Sequence, residues 1–548
     1  MNTLKPKLFQ VMKGYTGGQL VKDIISGIIV AIVALPLSIA LAIASGVAPE
    51  CGLYTAIIAG FFISFAGGSR VQIGGPTAAF VTIIYGIVQT NGIDGLIAAT
   101  IMAGVFLIIM GICHFGTLIK YIPYTITTGF TCGIGVSLLV GQIKDFLGLE
   151  MDSVPSEFID KVIAFAKNIN TTHLTTLLVG LLAIAILIVF PKITDKIPAS
   201  LVAIIVTTLL VKLADLPVNT IGSVYGELSS KLPLPHLPNV SFAMIKSLIS
   251  PAFTIALLAG IESLLSAVVS DGMIGDKHNS NAELIGQGLG NIFSGLFGGI
   301  PATGAIARTA TNVKNGGRTP IAGMVHSMTL LVILLLLMPY AALIPMTTLA
   351  AVLMIVAWNM CNWSTFFRLI KTSPKSDIIV LLGTFFLTVI FDLVVAIEVG
   401  IVVSALLFMK RMSDTSEIKA WKYIEEPDIT DGEAEKLLSI PKEIRVFEIN
   451  GPMFFAASDR LADINSKKYT KVIVIRMRAV PAIDASAMHS LHDMADRFEK
   501  KGIQLVFSHV NEQPMKVMKK DGLYDKLGAD CFQPDIVAAL NYAETLIK

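Results

Sequence analysis

The chain has 548 residues, of which 54% are hydrophobic and 15% charged, and its mean hydropathy is +0.72. Soluble domains carry about 25% charged residues, so this composition excludes an ordinary soluble protein. Residues 412–548 form a quarter of the chain but hold 41 of the 82 Lys, Arg, Asp and Glu side chains. The sequence therefore predicts a polytopic membrane protein with a soluble C-terminal domain.

The remaining composition argues against several other classes. A net charge of +2 leaves no basic surface of the kind that binds nucleic acid. The five cysteines and eight histidines have neither disulfide-like nor metal-ligand spacing. We therefore expect no metal and no other cofactor, and we expect a protein that is not an enzyme.

Apolar runs of about 20 residues predict the membrane helices. Twelve clear runs occur at 24–45, 52–67, 95–115, 126–142, 173–190, 198–213, 251–271, 281–298, 319–340, 345–360, 377–394 and 395–410. Two shorter runs, at 77–90 and 303–313, follow glycine and proline. The fourteen predicted crossings divide near residue 245 into two groups of seven. An odd number in each group requires the two groups to be inverted in the membrane.

The charges predict the orientation and the domain boundaries. With the N-terminus in the cytoplasm, sixteen Lys and Arg side chains lie inside and six outside, as the positive-inside rule favours. Both termini are then cytoplasmic. The predicted parts are a cytoplasmic segment at 1–23, a membrane domain at 24–411, a linker at 412–440 and a C-terminal domain at 441–548.

The two short apolar segments predict a binding site. Each is third in its group of seven. The first is opened by Gly74-Gly75-Pro76-Thr77-Ala78-Ala79 and the second by Gly298-Gly299-Ile300-Pro301-Ala302-Thr303-Gly304-Ala305. Matching interrupted segments in two halves of a membrane protein indicate a transporter binding site. The alternative is a pair of ordinary kinked helices.

The start of a half-helix exposes unpaired N–H groups and the positive end of the helix dipole, which favours an anion. Pro76 and Pro301 suit a first helical turn. The predicted substrate-binding residues in these segments provide hydroxyl groups or small side chains that let a substrate approach the backbone: Thr77, Ala78, Ala79, Thr303, Gly304 and Ala305.

Arg308 lies four residues after Gly304 and hence on the same face of a helix. An arginine inside a membrane segment is a candidate functional residue. It could attract the substrate, or it could pair with a carboxylate or a helix end.

Glu262 lies near the middle of the apolar run from Pro251 to Ser270, and Ser266 follows one turn later. A carboxyl group in the membrane core is costly when charged and could take up and release a proton. Glu262 and Ser266 therefore form a candidate site for a coupling ion, H⁺ or Na⁺. The alternative is a structural hydrogen bond or a salt bridge to Arg308.

Three stretches together resemble the SulP/SLC26 anion transporters: residues 51–80, residues 259–266, and residues 301–312, which include Arg308. The resemblance extends over essentially the whole chain. It implies a core domain moving against a gate domain, a homodimer, a location in the bacterial inner membrane, and a substrate held near Thr77, Ala78, Ala79, Gly304, Ala305 and Ile306.

Within that family, residues 271–291 and 306–308 look most like the bacterial C4-dicarboxylate carriers. The sodium-bicarbonate members carry Asp and Thr at the positions of Glu262 and Ser266, whereas the proton-linked members resemble this chain. The family transports sulfate, bicarbonate, chloride or dicarboxylates, so the resemblance does not select the anion.

In the C-terminal domain, short apolar runs at 444–449, 472–477 and 503–507 predict strands. Segments 458–466, 485–500 and 513–520 predict helices. This alternation predicts a small α/β unit and resembles a STAS domain. Its strand-to-helix loop, Asp484-Ala485-Ser486-Ala487, predicts helix capping by Asp484 or Ser486, with phosphorylation at Ser486 as the alternative. Such a domain could also bind a cytoplasmic partner.

The predicted function is secondary anion transport by alternating access, with proton-coupled symport favoured. The alternatives are sodium-coupled bicarbonate symport, anion exchange, a nucleobase carrier of the same architecture, and a membrane-anchored signalling protein that works through its STAS domain.

Overall fold

The computed structural model describes residues 4–117, 123–151, 154–155, 157–194, 197–391, 393–415, 417–420, 440–455, 461 and 464–548. These residues form two compact units, Met1–Ile401 and Val402–Lys548. The first is helical and the second is a mixed α/β unit. The predicted division into a helical membrane part and a C-terminal α/β part is confirmed.

The long helices of the first unit follow the predicted apolar runs, several shorter helices between them were not predicted, and the last helix continues into the second unit. They are α1 Lys7–Val11, α2 Gly17–Ala44, α3 Pro49–Ala66, α4 Val81–Ile112, α5 Tyr124–Gly141, α6 Ile143–Leu147, α7 Phe158–Lys167, α8 Leu174–Ile193, α9 Ala199–Leu213, α10 Ile221–Tyr225, α11 Phe242–Ile274, α12 Ser280–Leu296, α13 Ile306–Lys314, α14 Pro320–Ala341, α15 Met346–Cys361, α16 Trp363–Thr372, α17 Lys375–Ile390 and α18 Leu393–Thr415.

Eight helical stretches in the described part of the chain are long and apolar enough to cross a membrane. They are Gly17–Ala44, Pro49–Ala66, Ala78–Ile112, Tyr124–Leu147, Leu174–Lys192, Phe242–Ile274, Pro320–Ala341 and Met346–Thr372. The predicted segments 77–90 and 95–115 lie in one helical stretch, which is interrupted at Gly92, where φ is +67°. Other predicted segments correspond to shorter helices such as α9, α12 and α13.

Burial divides these helices into central and peripheral ones. In α3 and α11, 67% of the apolar window is buried, against 28% in α8, whose exposed Leu, Ile and Val side chains are suited to contact with lipid. The helix α12 packs against both α4 and α3. At the α4–α12 crossing, a Cβ on Gly104 would lie 2.6 Å from the Gly288 carbonyl oxygen, so glycine permits this close backbone approach.

The second unit contains a five-stranded sheet in the order β3-β4-β5-β6-β7. The strands are β3 Glu417–Ala420, β4 Ile444–Asn450, β5 Val472–Ala479, β6 Gln504–Ser508 and β7 Phe532–Gln533. The last four run parallel, and β3 pairs antiparallel with β4. The helices are α19 Ala485–Glu499, α20 Glu512–Asp521, α21 Leu523–Leu527 and α22 Ile536–Ile547.

The elements of this unit agree closely with five predicted ones: the three strands and the helices at 485–500 and 513–520. The predicted helix at 458–466 falls mostly outside the described residues. One boundary is wrong: residues 417–420, which the sequence placed in a linker, are an edge strand paired with Phe447–Asn450. A strand of four residues alternating between exposed and half-buried positions leaves almost no apolar signal.

Candidate anion site in the membrane unit

The two interrupted segments meet as a short β-ribbon. Strand β1, Gly74–Pro76, pairs antiparallel with β2, Ala302–Gly304, in the register Gly74↔Gly304, Gly75↔Thr303 and Pro76↔Ala302. The ribbon is fully buried. Each strand leads into a helical segment, which begins at Ala78 after β1 and at Ile306 after β2. The ribbon therefore joins the starts of the two half-helices.

The register fixes how far apart these helix starts lie. Thr77 and Ala305 continue their strands with extended backbone and sit about four residue positions apart along the ribbon. At a rise of about 3.4 Å per residue, this separation is about 14 Å along the strand direction. That distance leaves room for a small anion between the two helix starts.

The two helix starts differ in how their N–H groups are satisfied. At the first, the Thr77 hydroxyl accepts a long 3.5 Å bond from the Ala79 N–H. At the second, Ala305 makes no side-chain cap within the described residues, and Ile306 is 45% exposed. The first turn of α13 therefore presents uncapped N–H groups at an accessible position, which is the arrangement that favours an anion.

Two predicted residues lie deeper than the sequence suggested. Thr303 and Gly304 belong to β2 and not to a helix, because α13 begins at Ile306. The Thr303 hydroxyl is fully buried and donates to the Ala259 carbonyl at 2.8 Å. Likewise, the prediction that Pro76 and Pro301 lie in first helical turns is wrong, since the helices begin two and five residues later.

Arg308 reaches from the second half-helix back to the first. Its guanidinium Nη2 donates to the Pro76 carbonyl at 3.0 Å, and the side chain is 3% exposed. Nη1 lies against Gly75 and has no hydrogen-bond partner among the described residues. Among the described residues, no ion pair joins Arg308 to Glu262. The positive charge therefore lies beside the start of the first half-helix without a carboxylate partner.

One face of α11 contacts the residues that follow both strands of the ribbon. The Glu262 carboxyl interacts with the Thr77 hydroxyl. One turn further on, the Ser266 hydroxyl donates to the Thr309 hydroxyl of α13 at 3.4 Å. The predicted pair Glu262 and Ser266 is thus brought to both half-helices, Glu262 to the first and Ser266 to the second.

Sequence reasoning predicted the helix α12 but missed the polar residues through which it holds the ribbon in place. Glu283 of α12 is fully buried, and its carboxylate accepts from the Gly68 and Ser69 N–H groups at 2.8 and 2.9 Å. It also accepts from the side-chain amides of Gln72 and Gln287 at 3.1 and 2.9 Å. Glu283 therefore fixes the segment that leads into β1.

Asn291, also on α12, holds β2 in place. Its side-chain amide donates to the Ala302 carbonyl and accepts from the Ala302 N–H, both at 2.9 Å. Glu283, Gln287 and Asn291 recur every four residues and so lie on one helix face. That spacing of polar residues within an apolar segment is the signal that could have identified them.

His326 is a second residue that the sequence reasoning passed over. It lies on α14 with no exposed surface, and neither ring nitrogen has a hydrogen-bond partner among the described residues. A Cβ placed on Gly60 would lie 3.8 Å from His326 Nδ1 and 3.2 Å from the Gly74 carbonyl oxygen. The imidazole is therefore packed close to β1. A histidine in the middle of an apolar helix was the available signal.

In the C-terminal unit, the Asp484 carboxylate caps α19 by accepting from the Ala487 N–H at 2.9 Å. Its other oxygen accepts from the Phe455 N–H at 2.8 Å. Ser486 lies exposed in the first turn and is not the capping residue. Of the two residues predicted as caps, Asp484 and Ser486, the structure shows Asp484 capping the helix.

Glu283 should be essential to the stability of the membrane unit. We expect Glu283→Ala to lower the free energy of unfolding by about 3 kcal/mol or more, because four buried N–H donors lose their acceptor. The thermal midpoint of the detergent-solubilised protein measures this effect. Glu227→Ala removes an exposed carboxylate and serves as the control. An unchanged midpoint in the Glu283 variant would refute the bracing role.

Gly304 should tolerate no side chain. A Cβ at this position would lie 1.7 Å from Gln72 Nε2, which donates to the Ser263 carbonyl and to Glu283. We expect Gly304→Ala to displace Gln72 and to reduce the uptake rate about tenfold, the cost of one buried charge-assisted hydrogen bond. Gly383→Ala is the matched control, since its Cβ would meet nothing within 4 Å. Equal rates in the two variants would contradict this account.

Three features are typical of a multi-pass anion transporter: a helical membrane unit with an interrupted helix pair, a buried arginine that has no ion pair in the described part of the chain, and an α/β domain. The model of the sulfate permease family matches residues 20–384, and the STAS domain model matches residues 436–538. The chain belongs to this SulP/SLC26 family. It is a transporter and not an enzyme, and the family implies an anion as its substrate.

Named relatives align over nearly the whole chain. The putative sulfate transporter YvdB of Bacillus subtilis is 38% identical over 527 residues, which are 95% of this chain and 97% of the relative. The bicarbonate transporter BicA of Picosynechococcus is 31% identical over 527 residues, covering 93% of this chain and 92% of the relative.

Solved structures support the same fold. The murine solute carrier 26 family member A9 anion transporter, in its inward-facing state, gives a TM-score of 0.89 at 18% identity, covering 99% of this chain and 94% of that one. The transmembrane domain of a cyanobacterial BicA gives a TM-score of 0.62 at 29% identity, covering 70% of this chain and 98% of that one.

Proposed function

We propose that the protein is a proton-coupled symporter of a small anion, of the sulfate, C4-dicarboxylate or bicarbonate class, working by alternating access. The single observation that carries this proposal is the buried Arg308 guanidinium, which donates to the Pro76 carbonyl beside the first half-helix and has no carboxylate partner among the residues that the structure describes. An uncompensated positive charge is costly in a membrane interior, so an arriving anion is favoured there.

In this proposal the anion binds between the two helix starts. Thr77, Ala78 and Ala79 line the site from the first half-helix, and Ala305 and Ile306 line it from the second. Arg308 supplies the positive charge, while Thr303 and Gly304 shape the ribbon behind the site. The lining positions offer backbone N–H groups, a hydroxyl group or small side chains, which suit a small oxyanion.

Glu262 is the proposed proton carrier, and Ser266 supports it. The support for this role is the interaction of Glu262 with Thr77, a residue of the proposed anion site. Protonation of Glu262 would then remove a negative charge that repels the substrate. Anion binding and proton binding would then favour one another, which is the requirement for symport.

The remaining parts of the proposal concern architecture. We propose fourteen crossings in seven-plus-seven inverted repeats, with a core domain moving against a gate domain, in a homodimer of the bacterial inner membrane. Both termini would be cytoplasmic, with sixteen basic residues inside against six outside as the support. We propose the domain boundaries 1–23, 24–411 and 441–548 and a linker at 412–440 that contains the edge strand β3.

Uptake into liposomes tests the function. Purified protein is reconstituted and supplied with labelled succinate, sulfate or bicarbonate, each with and without a pH gradient and each with and without Na⁺. Proton-coupled symport predicts accumulation of one of these anions that depends on the pH gradient and is indifferent to Na⁺. Failure to accumulate any of the three would refute the proposal.

A second candidate is sodium-coupled bicarbonate symport, favoured by the 31% identity to proteins named bicarbonate transporter BicA. Bicarbonate uptake that follows a Na⁺ gradient would establish it. Anion exchange predicts uptake only against an internal anion. A nucleobase carrier is disfavoured, because such a carrier would place a further carboxylate beside the second half-helix, whereas position 308 here is basic.

The signalling alternative assigns the working role to the STAS domain, through phosphorylation of Ser486 or a cytoplasmic partner. Uptake by a chain that ends at residue 411 would count against it, once size-exclusion chromatography shows that the shortened protein is folded. Ser486→Ala should leave uptake unchanged in the transport proposal.

A further inference from the structure

A large cavity lies in the membrane unit apart from the ribbon. Its volume is about 860 Å³, and its lining includes the ends of α2 and α5, the first half of α4, and α6 and α7. Thr77, Glu262 and Ile306 are not among its lining residues. Val81 and Thr82, however, line the cavity and directly follow the start of the first half-helix. The cavity therefore ends against the first turn of α4, beside the ribbon site.

Four charged side chains line this cavity: Lys144, Asp145, Glu157 and Lys161. Lys144 and Asp145 are neighbours in the chain, so they compensate one another electrostatically. Glu157 immediately precedes α7, where the positive end of the helix dipole stabilises a carboxylate. Lys161 is the remaining charge.

Lys161 forms no ion pair among the described residues. Its Nζ lies 5.5 Å from the centroid of the Tyr85 ring, and the Tyr85 hydroxyl donates to the Val154 carbonyl at 3.0 Å. The ring attracts the ammonium group through its face and leaves the ammonium N–H groups available to a ligand. Partial burial of Lys161 lowers the pKa of its ammonium group, because its solvation is incomplete. A nearby anion would stabilise the charged ammonium group in place of the missing water.

We propose that this cavity is an entry vestibule with its own anion site, formed by the Lys161 ammonium over the Tyr85 ring. The ligand is the same class of small anion that the ribbon site takes, held before it reaches the first half-helix. This inference rests on the proposed transport function. It adds a second binding step, on one face of the membrane, at a residue that does not touch the ribbon.

Charge reversal at Lys161 tests the vestibule. We expect Lys161→Glu to raise the KM for anion uptake about tenfold with little change in the maximal rate, as for the loss of a hydrogen bond to a charged group. Lys161→Gln should raise KM by a smaller factor. The effect should appear only when the anion is added on the cavity side, and the wild-type KM should rise with ionic strength more steeply than that of Lys161→Gln.

Lys167 provides the matched control, because it lies on the same helix, is exposed and does not line the cavity. Lys167→Glu should retain the wild-type KM. Thermal melting of each variant separates folding defects from binding defects. If Lys161→Glu fails to fold, the dependence of KM on ionic strength in Lys161→Gln still tests the vestibule site.

The outcomes separate the two proposals. If wild-type protein accumulates no anion, the transport function itself fails. If wild-type protein accumulates an anion while the Lys161 variants keep its KM and its salt dependence, the vestibule site is refuted and the ribbon site stands. A KM that rises equally in the Lys161 and Lys167 variants would also refute it, because general surface charge would then explain the effect.

Discussion

Replacing Glu262 with glutamine should abolish uptake driven by a pH gradient and leave the protein folded. Glutamine has the size of glutamate and can still hydrogen-bond to Thr77, but it neither binds nor releases a proton at these pH values. Coupling requires a group whose protonation changes during the cycle. The measurement is accumulation of labelled anion in liposomes with an imposed pH gradient, where we expect Glu262→Gln to show no gradient-dependent component.

Two controls accompany this experiment. Glu150→Gln removes an exposed carboxylate distant in sequence from the ribbon residues and should keep full proton-driven uptake. Exchange of labelled for unlabelled anion across the membrane, with no pH gradient, should persist in Glu262→Gln, because exchange needs no net proton movement. Gradient-driven uptake at the wild-type level in this variant would remove Glu262 from the mechanism.

Replacing Arg308 with alanine should weaken anion binding about 10- to 100-fold. The change removes the buried guanidinium and leaves the Pro76 carbonyl without its donor. A hydrogen bond to a charged group contributes about 1.5–3 kcal/mol, which corresponds to this range of affinity. The KM for uptake and the dissociation constant of the purified protein measure the effect.

Arg368→Ala is the control for this prediction, because Arg368 is an exposed arginine of α16. Arg308→Lys is the informative second variant: it retains the charge but lacks the planar fork that reaches Pro76, so we expect an intermediate affinity. If Arg308→Ala lowers the thermal midpoint while the dissociation constant is unchanged, the arginine is structural and the substrate role is excluded.

The sequence determined the elements that depend on local pattern. Apolar runs fixed the long helices, and alternating strand and helix signals fixed the α/β unit, because burial in lipid or in a core imposes these periodicities directly. Glycine and proline marked where the two half-helices are interrupted. Glu262 and Arg308 could therefore be identified as candidate functional residues before any coordinates, but the start of α13 at Ile306 could not.

Only the tertiary structure decided how these pieces meet. The three-residue strands of the ribbon are too short to leave a periodic signal, so Thr303 and Gly304 were assigned to a helix when they belong to β2. The same limit hid the edge strand at 417–420. Contacts between residues far apart in the chain decide three features of the structure. These are the bracing by Glu283, the hydrogen bond from Arg308 to Pro76, and the position of Lys161 over the Tyr85 ring. No local pattern encodes such contacts, because each is fixed by the packing of several helices at once.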